Sequence, residues 1–216
     1  MKLGLHVTKP EKPLNHSVPA DGKPKDYEPI LKESSIKFSS PLSMANTVKD
    51  SIQGRKIAIL VAHGVDANAV KPVKTALEKQ GAFVELIAPN HGAVTAVDGT
   101  PVEVQQSLLT AASVFYDAVY VPGTDTSAAT LAGEPDAVHF LNEAFRHCKP
   151  IAFDINAMTL AEETCFFKKL PPDNNMDTVL EEGLLVAAAS KIASLFIPAI
   201  AQHRYWHRET SRKVPA

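Results

Sequence analysis

The side chains best suited to chemistry stand where short apolar runs end. The run Lys56-Ile-Ala-Ile-Leu-Val-Ala62 is followed by His63-Gly64-Val65-Asp66. Asp117-Ala-Val-Tyr-Val is followed by Pro122-Gly123-Thr124-Asp125-Thr126-Ser127, and Pro150-Ile-Ala-Phe by Asp154-Ile155-Asn156. His63 is a titratable group near the expected cleft; it equally suits a polar loop bonded to backbone. Thr124 and Asp125 can contribute to an anion nest through their amides or cap the next helix. Asp154 is conceivable as a nucleophile, and Asp154 or Asn156 also suits a helix cap. In three-layer α/β folds the bend after such a strand can present a Ser or Cys nucleophile; neither stands there. Glycine-rich phosphate loops of the G-x-G-x-x-G or G-x-x-x-x-G-K-[ST] kind are absent from the sequence. The candidate strand-end pocket is therefore His63, Asp66, Thr124, Asp125, Asp154 and Asn156.

The two cysteines lie elsewhere. Cys148 ends a helical pattern between His147 and Lys149, where the cations favour a thiolate and the negative helix end opposes it. Cys165, in Glu163-Thr-Cys-Phe-Phe, reads as a small buried hydrophobe. His203 and His207 are four apart on a predicted last helix, a spacing that can share a metal. No third ligand accompanies them, and no metal site is expected. The basic, aromatic stretch Gln202–Lys213 has the composition of an anion or RNA binder, but Tyr205 and Trp206 also suit anchoring on a sheet.

The elements that position these residues follow from apolar patterning. A continuous β-branched run predicts a strand buried on both faces at 56–62, and further apolar runs predict strands at 83–88, 117–122, 150–154 and 183–187. Helical spacing spans Asp66–Gln80, Glu134–His147 and Lys191–Arg208, with a short helix at Ser107–Ser113. Asp98-Gly99 between alternating runs predicts a hairpin. Strands alternating with helices predict a three-layer α/β/α sandwich with a mostly parallel sheet. Its ligands belong beyond the carboxyl ends of the strands. Six of the 16 prolines fall in the first 54 residues, so 1–53 reads as an extended Pro-rich arm and 54–216 as the folded domain.

Over 216 residues the formal net charge is −2, which supplies no electrostatic drive toward nucleic acid or an anionic membrane. Two cysteines exclude a disulfide scaffold. The longest apolar stretch, Gly183–Ala189, is far short of the roughly 20 residues of a spanning helix. With a start too short in apolar run for a signal peptide, the expected compartment is the cytoplasm.

In order along the chain, several segments resemble one known domain. They are Gly54-Arg-Lys-Ile-Ala-Ile-Leu-Val61, Lys74-Thr-Ala-Leu-Glu-Lys-Gln-Gly81 and Gly92-Ala-Val-Thr-Ala-Val-Asp-Gly-Thr100. Asp117-Ala-Val-Tyr-Val-Pro-Gly123, Phe145-Arg-His-Cys-Lys-Pro-Ile-Ala152, Ala201-Gln-His-Arg-Tyr-Trp-His-Arg208 and Lys213-Val-Pro-Ala216 complete the series. The resemblance is to the C-terminal domain of large-subunit haem catalases, itself similar to the DJ-1/PfpI and class I glutamine amidotransferase-like folds, flavodoxin-like in type. It covers about Leu42 to Ala216. The opening Lys2-Leu-Gly-Leu5 and the Pro-rich arm look like the tether that follows the helical region of such catalases.

The resemblance implies a non-catalytic accessory domain, supporting assembly and stability of a tetrameric, peroxide-decomposing enzyme, with chaperone-like shielding as a further role. The partners would be the catalase core and other subunits. Haem would sit in that core and no cofactor in this chain, which matches neither the distal His and Asn nor the proximal Tyr motif. DJ-1-like enzymes place a nucleophilic Cys where this chain has Asp154-Ile155-Asn156. Their acidic partner would fall near Asn68 and Ala69, with only Asp66 close. A stand-alone DJ-1/PfpI-type enzyme using Cys148 or Cys165, or a small-molecule-binding module, is the alternative.

Overall fold

A computed structural model describes residues 22–23, 39–43, 46–170, 177–179 and 182–211. Most of the Pro-rich arm and the terminal Arg212–Ala216 lie outside them. The chain divides into two compact units, 1–46 and 47–216. In the first, Ser40–Leu42 form a single 3-10 turn, and the Asn46 amide donates to the Ser40 carbonyl at 3.1 Å and to Ser40 Oγ at 2.8 Å.

The second unit is built on a seven-stranded sheet. Its strands are β1 (Lys56–Leu60), β2 (Phe83–Ala88), β5 (Gln106–Ser107), β6 (Ala118–Val121), β7 (Ile151–Asp154), β8 (Thr178–Val179) and β9 (Leu184–Ala187). Their order is β5-β2-β1-β6-β7-β9-β8, with only β8 antiparallel. β3 (Gly92–Thr95) and β4 (Pro101–Val104) form a separate hairpin. All described residues of β6, β7 and β9 are buried, which is why these strands read as unbroken apolar runs.

Helices cover both faces. On one, α1 (Ala67–Lys79) and α5 (Ala189–Ala201) pack Val73, Leu77, Ile192, Phe196 and Ile200 onto Ile57, Ile59 and Tyr120. Ile52, ahead of β1, is buried in this layer. On the other, α2 (Asp125–Ala132), α3 (Pro135–Arg146) and α4 (Met158–Glu162) pack Ala128, Leu131, Phe140, Leu141 and Leu160 onto Leu60, Val119 and Phe153. The expected three-layer sandwich with a mostly parallel sheet is therefore the fold. The order reverses between β1 and β6, which puts the crevice at their carboxyl ends.

Two local readings change. Ser107–Ser113 is not a helix: Gln106 and Ser107 pair with β2, and the Thr110 hydroxyl folds the chain back on Gln106 and Ser107. The hairpin at Asp98-Gly99 forms as expected, its turn closed by the Ala96 amide donating to the Thr100 carbonyl at 2.8 Å while Ala96 also bridges Val65. The last helix runs 189–201 and stops. His203 takes a left-handed φ of 68°, and the chain continues as a bend into a 3-10 segment, Trp206–Ser211. His203 and His207 thus do not share a helix, and no group of three or more potential metal ligands occurs among the described residues.

Candidate functional site

The loops after β1, β6 and β7 meet at the crevice. Asp66 caps α1, accepting from the Asn68 amide at 2.9 Å. Thr124 caps α2, accepting from the Ser127 amide at 3.2 Å while donating to the Gly64 carbonyl at 2.6 Å. Ser127 Oγ in turn accepts from the Ala62 amide at 3.0 Å, tying the β1 and β6 loops together. Asp154 caps the turn after β7, accepting from the Asn156 amide at 3.0 Å. So Asp66, Thr124 and Asp154 act as caps, while Asp125 and Asn156 face solvent. The approach of the loops is close at Gly123, where a Cβ would stand 2.3 Å from Asp154 Oδ1.

His63 is exposed on the far side of this loop. The Thr95 amide donates to its Nδ1 at 3.0 Å, so the neutral ring carries its proton on Nε2. The hairpin is fixed here again by Gly64 N–H donating to the Thr95 carbonyl at 2.7 Å. His63 lines a cavity of about 110 Å³ with Ala62, Asn90, Val94, Thr130 and Glu134. Glu134 starts α3, yet its carboxylate makes no capping bond. The structure thus separates His63 from Asp154 rather than joining them in one pocket.

Two groups escaped the sequence reading. Tyr120, within an otherwise aliphatic strand, is fully buried, and its hydroxyl has no hydrogen-bond partner among the described residues. Burial, with the nearby charges of Asp154 and Asp66, holds that phenol far above its usual range. Ser127 is the other, a buried hydroxyl whose oxygen accepts from the Ala62 amide just past the end of β1.

Burial also raises Asp154, more than the amides of Asn156 and Ala189 lower it. The folded state then binds a proton more tightly than the unfolded chain does. Stability from this group is complete below the ordinary carboxylate pKa and is lost as pH rises through the raised value. Asp154→Asn keeps the acceptor and removes the charge. The variant is expected to melt higher than the parent at pH 7, with the difference closing toward pH 4; calorimetry at both values measures it.

The bend after β7 is not built as a nucleophile turn. Asp154 is extended at φ −66°, ψ 148°, Ile155–Ala157 form a 3-10 turn, and none of these residues has a positive φ. The cysteines do not supply the missing thiol there. Cys148 is buried after α3 at φ 59°, its Sγ 3.8 Å from the Arg146 carbonyl. Cys165 is exposed, contrary to the buried reading. Thr164 Oγ1 bonds back to the Ala161 carbonyl, and Phe166 turns inward to stack on Phe145 at 4.6 Å, which leaves Cys165 facing out.

At the opposite end of the sheet the polar groups are structural. Asp117 accepts from the Lys56 amide at 3.0 Å and faces His203 Nε2 and Arg204 at 3.4 Å and Arg55 at 3.9 Å. Arg208, buried, donates to the carbonyls of Phe145 at 3.1 Å and Lys149 at 2.9 Å, and to that of Glu182.

Comparison with known proteins agrees with this geometry. Residues 53–210 match the family described as the C-terminal domain found in long catalases. Catalase HPII of Pseudomonas aeruginosa is 35% identical over 181 residues, which are 83% of this chain and 24% of that protein. Catalase HPII of Mycobacterium avium is 35% identical over 200 residues, 90% of this chain and 28% of that protein. The chain therefore spans about a quarter of the length of these relatives. Among solved structures, Drosophila melanogaster DJ-1beta superposes with a TM-score of 0.60 at 14% identity, over 76% of this chain and 100% of that one. Toxoplasma gondii DJ-1 gives 0.57 at 15% identity, over 73% and 98%. These two likenesses are of fold. With a DJ-1-type sandwich and a family match across most of its length, the chain belongs to the family of C-terminal domains found in long catalases.

Proposed function

We propose that this chain is a non-catalytic accessory domain of a long catalase, stabilising the assembly of a peroxide-decomposing enzyme whose haem is held in a separate core. The observation that carries the reading is the family match over 53–210 on a fold whose strand-end bend holds Asp154-Ile155-Asn156 in place of a nucleophile. Its partners are then the catalase core and other subunits of a tetramer, with no role for nucleic acid or membrane. The near-neutral charge supports that choice, and no described helix is long and apolar enough to cross a membrane. Cys148 and Cys165 are not joined in a disulfide, which suits the reducing cytoplasm. Purified and mixed with hydrogen peroxide and haem, the chain is expected to release no oxygen at an electrode and to develop no Soret band of a ligated haem. Sustained oxygen release by the chain alone would overturn the reading.

One observation favours a second role, a small-molecule module at the His63 cavity. At about 110 Å³ it is well below the roughly 300 Å³ of a drug-sized pocket. It suits a dicarbonyl-sized ligand rather than a nucleotide or flavin, with His63 Nε2–H as donor. Titration with methylglyoxal is expected to shift amide resonances of His63 and Thr95 in the parent and not in His63→Ala. Equal shifts in both remove this role.

A further inference from the structure

One end of the β3–β4 hairpin meets the domain at an imidazole. Thr95 pairs with Pro101 in the hairpin, yet both its backbone groups turn away from β4 toward the loop after β1. Its carbonyl accepts from the Gly64 amide at 2.7 Å, and its amide donates to His63 Nδ1 at 3.0 Å. A backbone N–H can only donate, so this bond needs a lone pair on Nδ1. An imidazolium carries a proton on each nitrogen and has no lone pair to offer. Taking up a proton therefore removes the acceptor and sets two donors against each other.

The two partners are not equally firm. The loop that carries His63 is fixed: Thr124 Oγ1 donates to the Gly64 carbonyl at 2.6 Å, and a Cβ at Gly64 (φ 84°) would stand 2.8 Å from Thr126 Cγ2. The hairpin is anchored along only part of its length. Val94, Ala96 and Val104 are buried, while Thr95 and the turn residues 97–100 are exposed. Past Thr95 the Val97 amide still bonds the Val65 carbonyl at 3.0 Å. Loss of the His63 bond thus falls on the exposed end of the hairpin and leaves its buried residues in place.

Few charges surround the ring. Among the residues lining the cavity beside His63, those of β3, of the loop after β2 and of α2 have no ionisable side chain. The start of α3 supplies Glu134, whose carboxylate makes no capping bond. On the ring's own loop the nearest ionisable side chain is Asp66, which accepts from the Asn68 amide. An imidazolium that has lost Thr95 therefore has a carboxylate across the cavity to face.

We propose that His63 is a proton-operated latch on the hairpin. Neutral, it holds the hairpin end through Thr95; protonated, it lets Thr95 go and loosens that end beside the cavity. The latch stands on the backbone bond alone and holds whether or not the cavity takes a ligand.

Amide hydrogen exchange of the whole chain, followed by NMR at pH 8 and pH 5, tests this, each rate being compared with that of an unstructured peptide at the same pH. Protection of Thr95 is expected to fall by about tenfold at the lower pH. Val61, whose amide donates to the Ile87 carbonyl at 2.8 Å within the sheet, should keep its protection. His63→Asn retains an acceptor oxygen near the place of Nδ1 and takes up no proton, so Thr95 should stay protected at both values. His63→Ala should leave Thr95 unprotected at both. Equal protection of Thr95 at the two pH values in the parent overturns the latch. A parallel fall at Val61, which reports loosening of the whole domain, overturns it too, as does the same fall of Thr95 in His63→Asn.

Discussion

Arg208→Met is expected to lower the thermal midpoint of the chain by about 10 °C, corresponding to roughly 3–5 kcal/mol for breaking a buried charge-assisted cluster. The guanidinium supplies three carbonyls from three segments: Phe145 at the end of α3, Lys149 ahead of β7 and Glu182 ahead of β9. It also lies 4.5 Å over the Phe145 ring and 5.7 Å over the Tyr205 ring. Methionine fills much of the volume and removes every donor, leaving carbonyls that lose their partners away from water. Arg208→Lys is expected to recover little, because one ammonium cannot reproduce a planar fork aimed at three acceptors. Differential scanning calorimetry of the three proteins measures this. A midpoint for Arg208→Met within about 2 °C of the parent would show that the terminal segment contributes nothing to the fold.

Asp117→Ala carries the second large effect, about 3 kcal/mol at pH 7. Its carboxylate collects the Lys56 amide, His203, Arg204 and Arg55 around the start of β6. Burial works to raise its pKa. The hydrogen bonds from His203 and the Lys56 amide, with the charges on Arg204 and Arg55, outweigh that and hold it far below the usual carboxylate range. A depressed folded value means the stabilisation is complete above the ordinary pKa near 4 and is lost as pH falls below it. The gap between parent and variant should therefore be wide at pH 7 and narrower at pH 3. Urea unfolding at the two values reads it, and a gap that widened in acid would contradict the assignment of Asp117 as the organising charge.

These two residues also show where sequence reasoning stops. β1, β6, β7 and β9 were legible because burial on both faces leaves no alternation to misread, and β2 was legible as an apolar run although Phe83 is exposed. Two caps were legible in kind: Thr124 and Asp154 stand where short polar side chains close the first turn of a helical segment, while Asp66 caps α1 without being expected to. The end of the last helix was not. Nothing in Gln202-His-Arg-Tyr-Trp-His-Arg208 breaks a helix locally. The stop at Ala201 depends on a left-handed His203 that turns toward Asp117, a residue 86 positions earlier. β5 and β8 are two residues each, and pairing with a neighbour, not propensity, makes them strands. The six candidate residues lie at or just after the carboxyl ends of β1, β6 and β7. Asp154 is buried while His63, Asp125 and Asn156 are exposed, and the Thr95 amide that holds His63 comes from a hairpin that no local pattern places there.

The role proposed for this domain is the endurance of a catalase and not its chemistry. The measurement that tests it most directly is the rate of heat inactivation of Pseudomonas aeruginosa catalase HPII in three forms: intact, without its C-terminal domain, and with this chain in that domain's place. Removal is expected to hasten inactivation by about tenfold or more, and this chain to restore most of the lost half-life, with the initial rate of oxygen release unchanged throughout. Inactivation of the replaced form as fast as that of the truncated one, or a change in the initial rate alone, would contradict the account.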